Sequence, residues 1–349
     1  MQNSTAMDND QSPKTNRRIM KSRIGIKNII AFIVSIGLLI YLFQQVNLHN
    51  IVQHFTQISW LEFFIIAGIY FSTVFFRGLR INSLVQGSFS RTKAVSFSAI
   101  HSFANHVFPF RMGELVLPWL FNKYTTYNYA SSFYALVLMR LYDLIVVLFI
   151  FTGSFLFYYM SRNTSMDPVI FSIAIFLEVL LLLGLVFSEK LIKMLFKIMQ
   201  SLSKKLGQRG KRFAFRLSEI EENITALQKK ETSAAKYIFL PAFTFALWMS
   251  NYIMFFTVLK FLQIKIGFWT SVLGSSGAIV TNLLPINGLG SFGTLEAGWT
   301  LGFMFVGLDK NSAIASSFVM HIIVVFVGMI IAGTGFILLQ YKSKTRQNK

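Results

Sequence analysis

The chain has 349 residues, 54% of them hydrophobic and only 13% charged, with a mean hydropathy of +0.56. That charge content is about half that of a soluble domain, and 38 phenylalanines suit a lipid-facing surface better than one aqueous core, so an ordinary soluble enzyme is excluded and an all-α polytopic membrane protein is predicted. Without cysteine there are no disulfides or thiolate metal centres, and the formal charge of +19 reads as membrane topology rather than nucleic-acid binding.

Residues 1–25 are polar and basic, with Lys14, Arg17, Arg18, Lys21 and Arg23 behind Asp8 and Asp10, and are expected to be a disordered cytoplasmic tail. No small-residue cleavage site precedes the first apolar run, so that run is expected to be an uncleaved anchor. Apolar runs follow at 28–46, 60–79, 130–160, 168–187, 237–259 and 312–340. Each is long enough to cross a ~30 Å hydrocarbon core as a helix. Two further apolar regions, 94–121 and 267–308, are interrupted, the first at "FPFRMGE" (108–114), the second within "LLPINGLGSFGTLEAGW" (283–299).

The cations set the expected orientation. Residues 1–27, 77–93, 188–236 and the tail 341–349, together with Lys123, carry 27 of the 33 lysines and arginines. Cytoplasmic loops hold the excess of positive charge, so both termini are expected in the cytoplasm. Both flanks of 94–121 then lie inside and both flanks of 267–308 outside. Each broken region is then expected to be a re-entrant helical hairpin, giving six full spans and two opposed dips; the alternative makes each a full crossing plus a short half-helix. The halves, about 26–160 and 168–340 of a domain spanning 26–340, form an inverted repeat. The breaks share a grammar: Asn105, Pro109, Gly113 and Glu114 in the first, Asn282, Pro285, Gly293 and Glu296 in the second. Gly- and Pro-broken segments at matching positions of two halves point to a transport site near the midplane. The basic connector 188–236 places apolar residues at helical spacing between lysines, which suits an amphipathic helix on anionic headgroups.

Gly288, Gly290 and Gly293 spell the dinucleotide-binding pattern, but a long apolar helix rather than a strand precedes them, and the next acid after Glu296 is Asp309. The glycines, with Pro285, instead break a helix, and such backbone is tolerated at membrane depth only where protein or water lines it. Six ionisable residues lie inside the apolar regions: Arg111, Glu114, Arg140, Asp143, Glu178 and Glu296. Intramembrane charge is costly and faces a cavity or a partner. Arg140 and Asp143, three apart, share a helix face. Glu296 has no cation near it in sequence, and Arg111 and Arg140 are the expected partners across the fold. His101, His106 and His321 lack metal-ligand spacing, and no nucleophile motif or nucleotide loop is present, so no catalytic residue, metal or cofactor is expected.

The segments "HVFPFRMGELVLPWLF", "LMRLYDLIVVL" and "LLPINGLGSFGTLEAGW" resemble the three signatures of the lysylphosphatidylglycerol synthase transmembrane-region family, over roughly residues 25–340. The resemblance implies a flippase-like domain, with motif positions at Pro109, Arg111, Gly113, Glu114, Arg140, Asp143, Pro285, Gly288, Gly290, Gly293 and Glu296. Asn287 departs from the pattern, where a small residue is common. The family includes proteins that join this membrane domain to a soluble aminoacyltransferase. That domain is expected to be absent here, since Lys349 comes about nine residues after the last run. The expected function is translocation of a phospholipid or an aminoacylated one across the cytoplasmic membrane. The expected partners are anionic phospholipids, with an oligomer compatible and no nucleic acid. The alternative is a lipid-modifying membrane enzyme, or a subunit of one, that needs a separate catalytic partner.

Overall fold

The computed structural model describes residues 58–85, 89–161, 168–187, 238–283 and 292–347, with scattered residues between 190 and 225. All regular structure among them is helical. In chain order the helices are α1 (Trp60–Leu84), α2 (Arg91–Val107), α3 (Val116–Tyr124), α4 (Tyr129–Ser161), α5 (Pro168–Val186), α6 (Leu240–Phe261), α7 (Phe268–Leu283), α8 (Thr294–Phe305) and α9 (Lys310–Gln347). The 28–46 run, most of the 188–236 connector, and Pro285, Gly288 and Gly290 lie outside the described residues.

Among the described residues, four helices are long and apolar enough to cross a membrane: α1, α4, α6 and the Lys310–Tyr341 stretch of α9. α5 contributes a shorter apolar stretch, Phe171–Gly184. Their starts follow from local chemistry. Ser59 caps α1, and Glu62 reaches back to the Ser59 N–H at 2.8 Å, so two end groups satisfy each other. Asp309 precedes α9 and accepts from the Ser312 N–H at 2.9 Å. Outward faces carry large apolar side chains such as Phe64, Phe133, Phe149 and Ile337, all well exposed.

The two interrupted regions fold as antiparallel pairs. In the first, α2 ends at Phe108, residues Pro109–Leu115 form a 3-10 turn, and α3 runs back along α2. Phe97 meets Phe121 at 5.7 Å between ring centroids, and the Lys93 ammonium donates to the Tyr124 carbonyl at 3.0 Å, so the open ends of the pair lie side by side. Gly113 is required here, because a Cβ would overlap the Ala104 carbonyl and come within 2.5 Å of the Asn105 nitrogen.

In the second pair, α7 and α8 touch backbone to backbone through glycines. A Cβ at Gly298 would come within 2.6 Å of the Gly277 carbonyl oxygen and would strike Thr281, and one at Gly302 would overlap the Gly274 carbonyl. Small residues four apart let helices approach this closely, which is how helices associate where no hydrophobic drive exists between them. α2 and α7 have 17 and 16 residues, about 24–26 Å of helix, short of the ~30 Å core.

Helices α1–α4 and α6–α9 exchange partners. α1 packs on α6, α2 lies along α9, and α7 lies along α4. Trp299, Tyr142, Tyr252, Phe97 and Phe121 are the largest fully buried side chains, and the Trp299 indole donates to the Ser316 hydroxyl at 3.1 Å, so its one polar group is satisfied.

Candidate functional site

The interior carries charge. Arg80, on the last turns of α1, is 3% exposed, and its Nη1 lies 2.5 Å from Oδ1 of Asp143 on α4, itself 4% exposed. The second guanidinium nitrogen reaches Oδ2 at 3.4 Å. The Trp248 indole of α6 donates to Oδ1 at 2.9 Å, and Arg80 also reaches Thr244 at 3.3 Å. Three helices therefore converge on one carboxylate. A buried carboxylate is tolerable only when paired and hydrogen-bonded in this way.

The network continues along α4. Arg140 lies 3.5 Å from Oδ2 of Asp143 through Nη1 and 2.9 Å from Glu114 through Nη2. The helical spacing of Arg140 and Asp143 does put them on one face. Arg111 approaches the same Glu114 oxygen at 3.4 Å from within the 3-10 turn. Arg111 has φ 58, a left-handed conformation that a long side chain adopts only under constraint. Nearby, Arg77 of α1 hydrogen-bonds the Ser102 hydroxyl of α2. Asn105, one turn on, lies 3.2 Å from His101 Nε2.

These groups surround a cavity of about 140 Å³. Arg77, Arg80, Arg111, Arg140, Glu114 and Asp143 line it, with His101, Asn105 and Trp248 on its walls and apolar Leu117, Leu136, Met139 and Ile279 completing them. The structure thus joins Asn105, Arg111, Glu114, Arg140 and Asp143 from the sequence-based set into one site.

Arg77 and Arg80 require a correction. Both were counted above with the cytoplasmic loop 77–93, although the apolar run 60–79 already takes in Arg77. They belong to α1, which continues to Leu84 and turns both guanidinium groups inward. Their spacing of three, matching Arg140 and Asp143, is the signal that could have identified them.

Glu296 occupies a separate position. Neither Arg111 nor Arg140 pairs with it; its Oε1 lies 2.5 Å from Nδ1 of His321 on α9, and both side chains are 0% exposed. Its other oxygen accepts from the Gly293 N–H at 2.7 Å, capping α8. Gly293 has φ 86, so the turn entering α8 needs a glycine. Phe292 stacks on the His321 ring at 4.1 Å, and His106 of α2 lies 6.5 Å beyond. His321, rather than Glu296, reaches the cavity wall. Asn282 lies in the last turn of α7, with its side chain outside the described residues, as are Pro285, Gly288 and Gly290. Among the described residues, no group of three histidines or acids could hold a metal ion.

No curated protein and no solved structure matches the chain. The family model described as "Lysylphosphatidylglycerol synthase TM region" matches residues 28–332. That span takes in both antiparallel pairs, the arginine–carboxylate network and the Glu296–His321 pair, and on it the chain belongs to the lysylphosphatidylglycerol synthase TM region family.

Proposed function

We propose that the protein translocates a phospholipid, or an aminoacylated one, across the cytoplasmic membrane. The observation that carries this reading is the cavity where four arginines and two carboxylates meet among helices long enough to span a bilayer. Groups of this kind inside a membrane protein mark a path for a polar solute, since facing lipid would cost several kcal/mol each. Guanidinium groups suit phosphate because they donate two parallel hydrogen bonds to its oxygens.

On this reading α2–α3 and α7–α8 are dips entering from opposite faces, and the two halves are inverted repeats. The exchange of partners, α2 on α9 and α7 on α4, supports that arrangement. Both termini lie in the cytoplasm, as the distribution of lysine and arginine favours. The drive comes from an ion gradient, the membrane potential or the lipid gradient.

The test is purified protein in liposomes containing a headgroup-labelled phospholipid. Movement of label between leaflets, lost in Arg140→Gln, is the expected result. A change in lipid mass with no movement would instead assign the protein to lipid modification. No effect in either assay would make it a scaffold for a separate enzyme.

A further inference from the structure

The arginine network makes no use of His321. Its Nδ1 faces Oε1 of Glu296 at 2.5 Å, while Oε2 accepts from the Gly293 N–H. A carboxylate in both contacts only accepts, so Nδ1 donates and the neutral ring carries its lone pair on Nε2. That Nε2 is buried without a hydrogen-bond partner among the described residues, and His321, 0% exposed, stands on the cavity wall. Phe292 covers one face of the ring at 4.1 Å.

Other polar atoms of the lining are open too. Among the described residues, the Tyr70 hydroxyl, Oδ1 of Asn105, Nδ1 of His101 and Nε of Arg80 and Arg140 have no hydrogen bond, and Oε1 of Glu114 has only its ion pairs. Donors and acceptors are mixed, as ordered water requires, and about 140 Å³ admits several molecules. Water among these groups gives protons a path to Nε2.

A proton at Nε2 turns the ring into an imidazolium and takes the Glu296–His321 pair from one negative charge to none. The surrounding charges bias that step. Glu296 of α8 favours it. Arg77 and Arg80 of α1, with Arg111 and Arg140, oppose it, partly offset by Glu114 and Asp143. His106 of α2, 6.5 Å from the ring, and His101 oppose it only when charged themselves, and α6 brings no ionisable group to the lining. A phosphate on the arginines relieves the opposition, so phosphate and proton each favour the other. Because Glu296 also caps α8, the added proton competes with the Gly293 N–H for the same carboxylate at the second break.

We infer that Glu296 and His321 form a proton-binding site, with Nε2 taking one proton as the phospholipid enters and releasing it as the lipid leaves, so that a proton gradient drives the movement. This rests on the translocation reading and names its drive.

The test uses the full chain in two preparations. In neutral detergent, dihexanoyl phosphatidylglycerol is titrated by calorimetry in two buffers of different ionisation enthalpy, which counts the protons taken up on binding. In liposomes, headgroup-labelled phosphatidylglycerol is followed with and without a pH gradient, at clamped membrane potential. Wild type should take up protons on binding, at most one per lipid. Label should gather on the alkaline side, up to about tenfold for a gradient of about one pH unit. His321→Asn keeps a donor for Glu296 and lacks Nε2, while Glu296→Gln keeps the cap and lacks the charge. Each should lose the proton uptake, and its label ratio under the gradient should fall to about one. Melting curves identify the folded variants, and either one alone suffices. Proton uptake that persists in a folded variant overturns the inference. Label that moves in wild type without regard to the gradient overturns it too, and leaves translocation standing. Uptake lost in the variants, with no label movement in wild type, defeats translocation and its drive but leaves the proton site standing.

Discussion

Glu296 on α8 and His321 on α9 meet at 2.5 Å with neither side chain exposed, and Glu296 also caps its own helix through Gly293. One carboxylate therefore fixes the turn into α8 and ties α8 to α9. Glu296→Gln keeps an acceptor for the Gly293 N–H and should leave the melting temperature close to wild type. Glu296→Ala strands two buried polar groups, each costing about 1–3 kcal/mol, and should lower it clearly. Equal melting temperatures for the two variants, measured in detergent, would show that the cap contributes nothing.

The Arg80–Asp143 pair makes a different prediction. Removing one partner leaves a buried charge unpaired, at about 3–5 kcal/mol. Arg80→Gln and Asp143→Asn should each destabilise strongly, and the double variant less than the sum of the two. A double-mutant cycle by thermal unfolding measures the coupling. Additive losses would mean that the two groups do not stabilise each other.

The glycine contact of α7 and α8 can be tested by adding single methyl groups. Gly302→Ala places a methyl group against the Gly274 carbonyl, and overpacking of this kind costs about 1–3 kcal/mol. Gly68→Ala on α1 meets nothing within 4 Å and serves as the control, with stability unchanged or slightly raised. Loss of folded protein in both variants, measured by chromatography after heating, would point away from the helix contact.

The absence of cysteine makes orientation measurable. Lys123→Cys, beside the open end of α2–α3, should react with an impermeant thiol reagent only from the cytoplasmic side. Lys310→Cys, just beyond α8, should react only from outside. Labelling of both from one side would refute opposed dips.

Much of this was legible in the sequence, and the exceptions have physical causes. The long helices declared themselves because a lipid-facing helix is apolar on nearly every side, so run length alone reveals it. Phe108 and Pro109 marked the first break, since a proline cannot continue α2. Arg77 and Arg80 were misplaced because an apolar run ends where its first arginines appear, while a helix ends where its hydrogen bonds do. α1 continues to Leu84, and only burial against α4 and α6 shows that Arg80 faces inward. The partner of Glu296 was missed because charge partners were sought among arginines. His321 lies 25 residues away on the next helix, and no spacing rule connects the two.

Arg140 holds Glu114 with one guanidinium nitrogen and approaches Asp143 with the other. Any anion that takes Arg140 must compete with Glu114 for the same donor. Glu114 sits in the turn where Arg111 is held in its left-handed conformation. Occupying the cavity and loosening the tip of the α2–α3 pair are thus opposite sides of one exchange, and reciprocity requires that whatever slackens that tip also sharpens the grip on the anion. Chemical state at the centre and shape at the break are coupled without any relay between them, because the same guanidinium serves both.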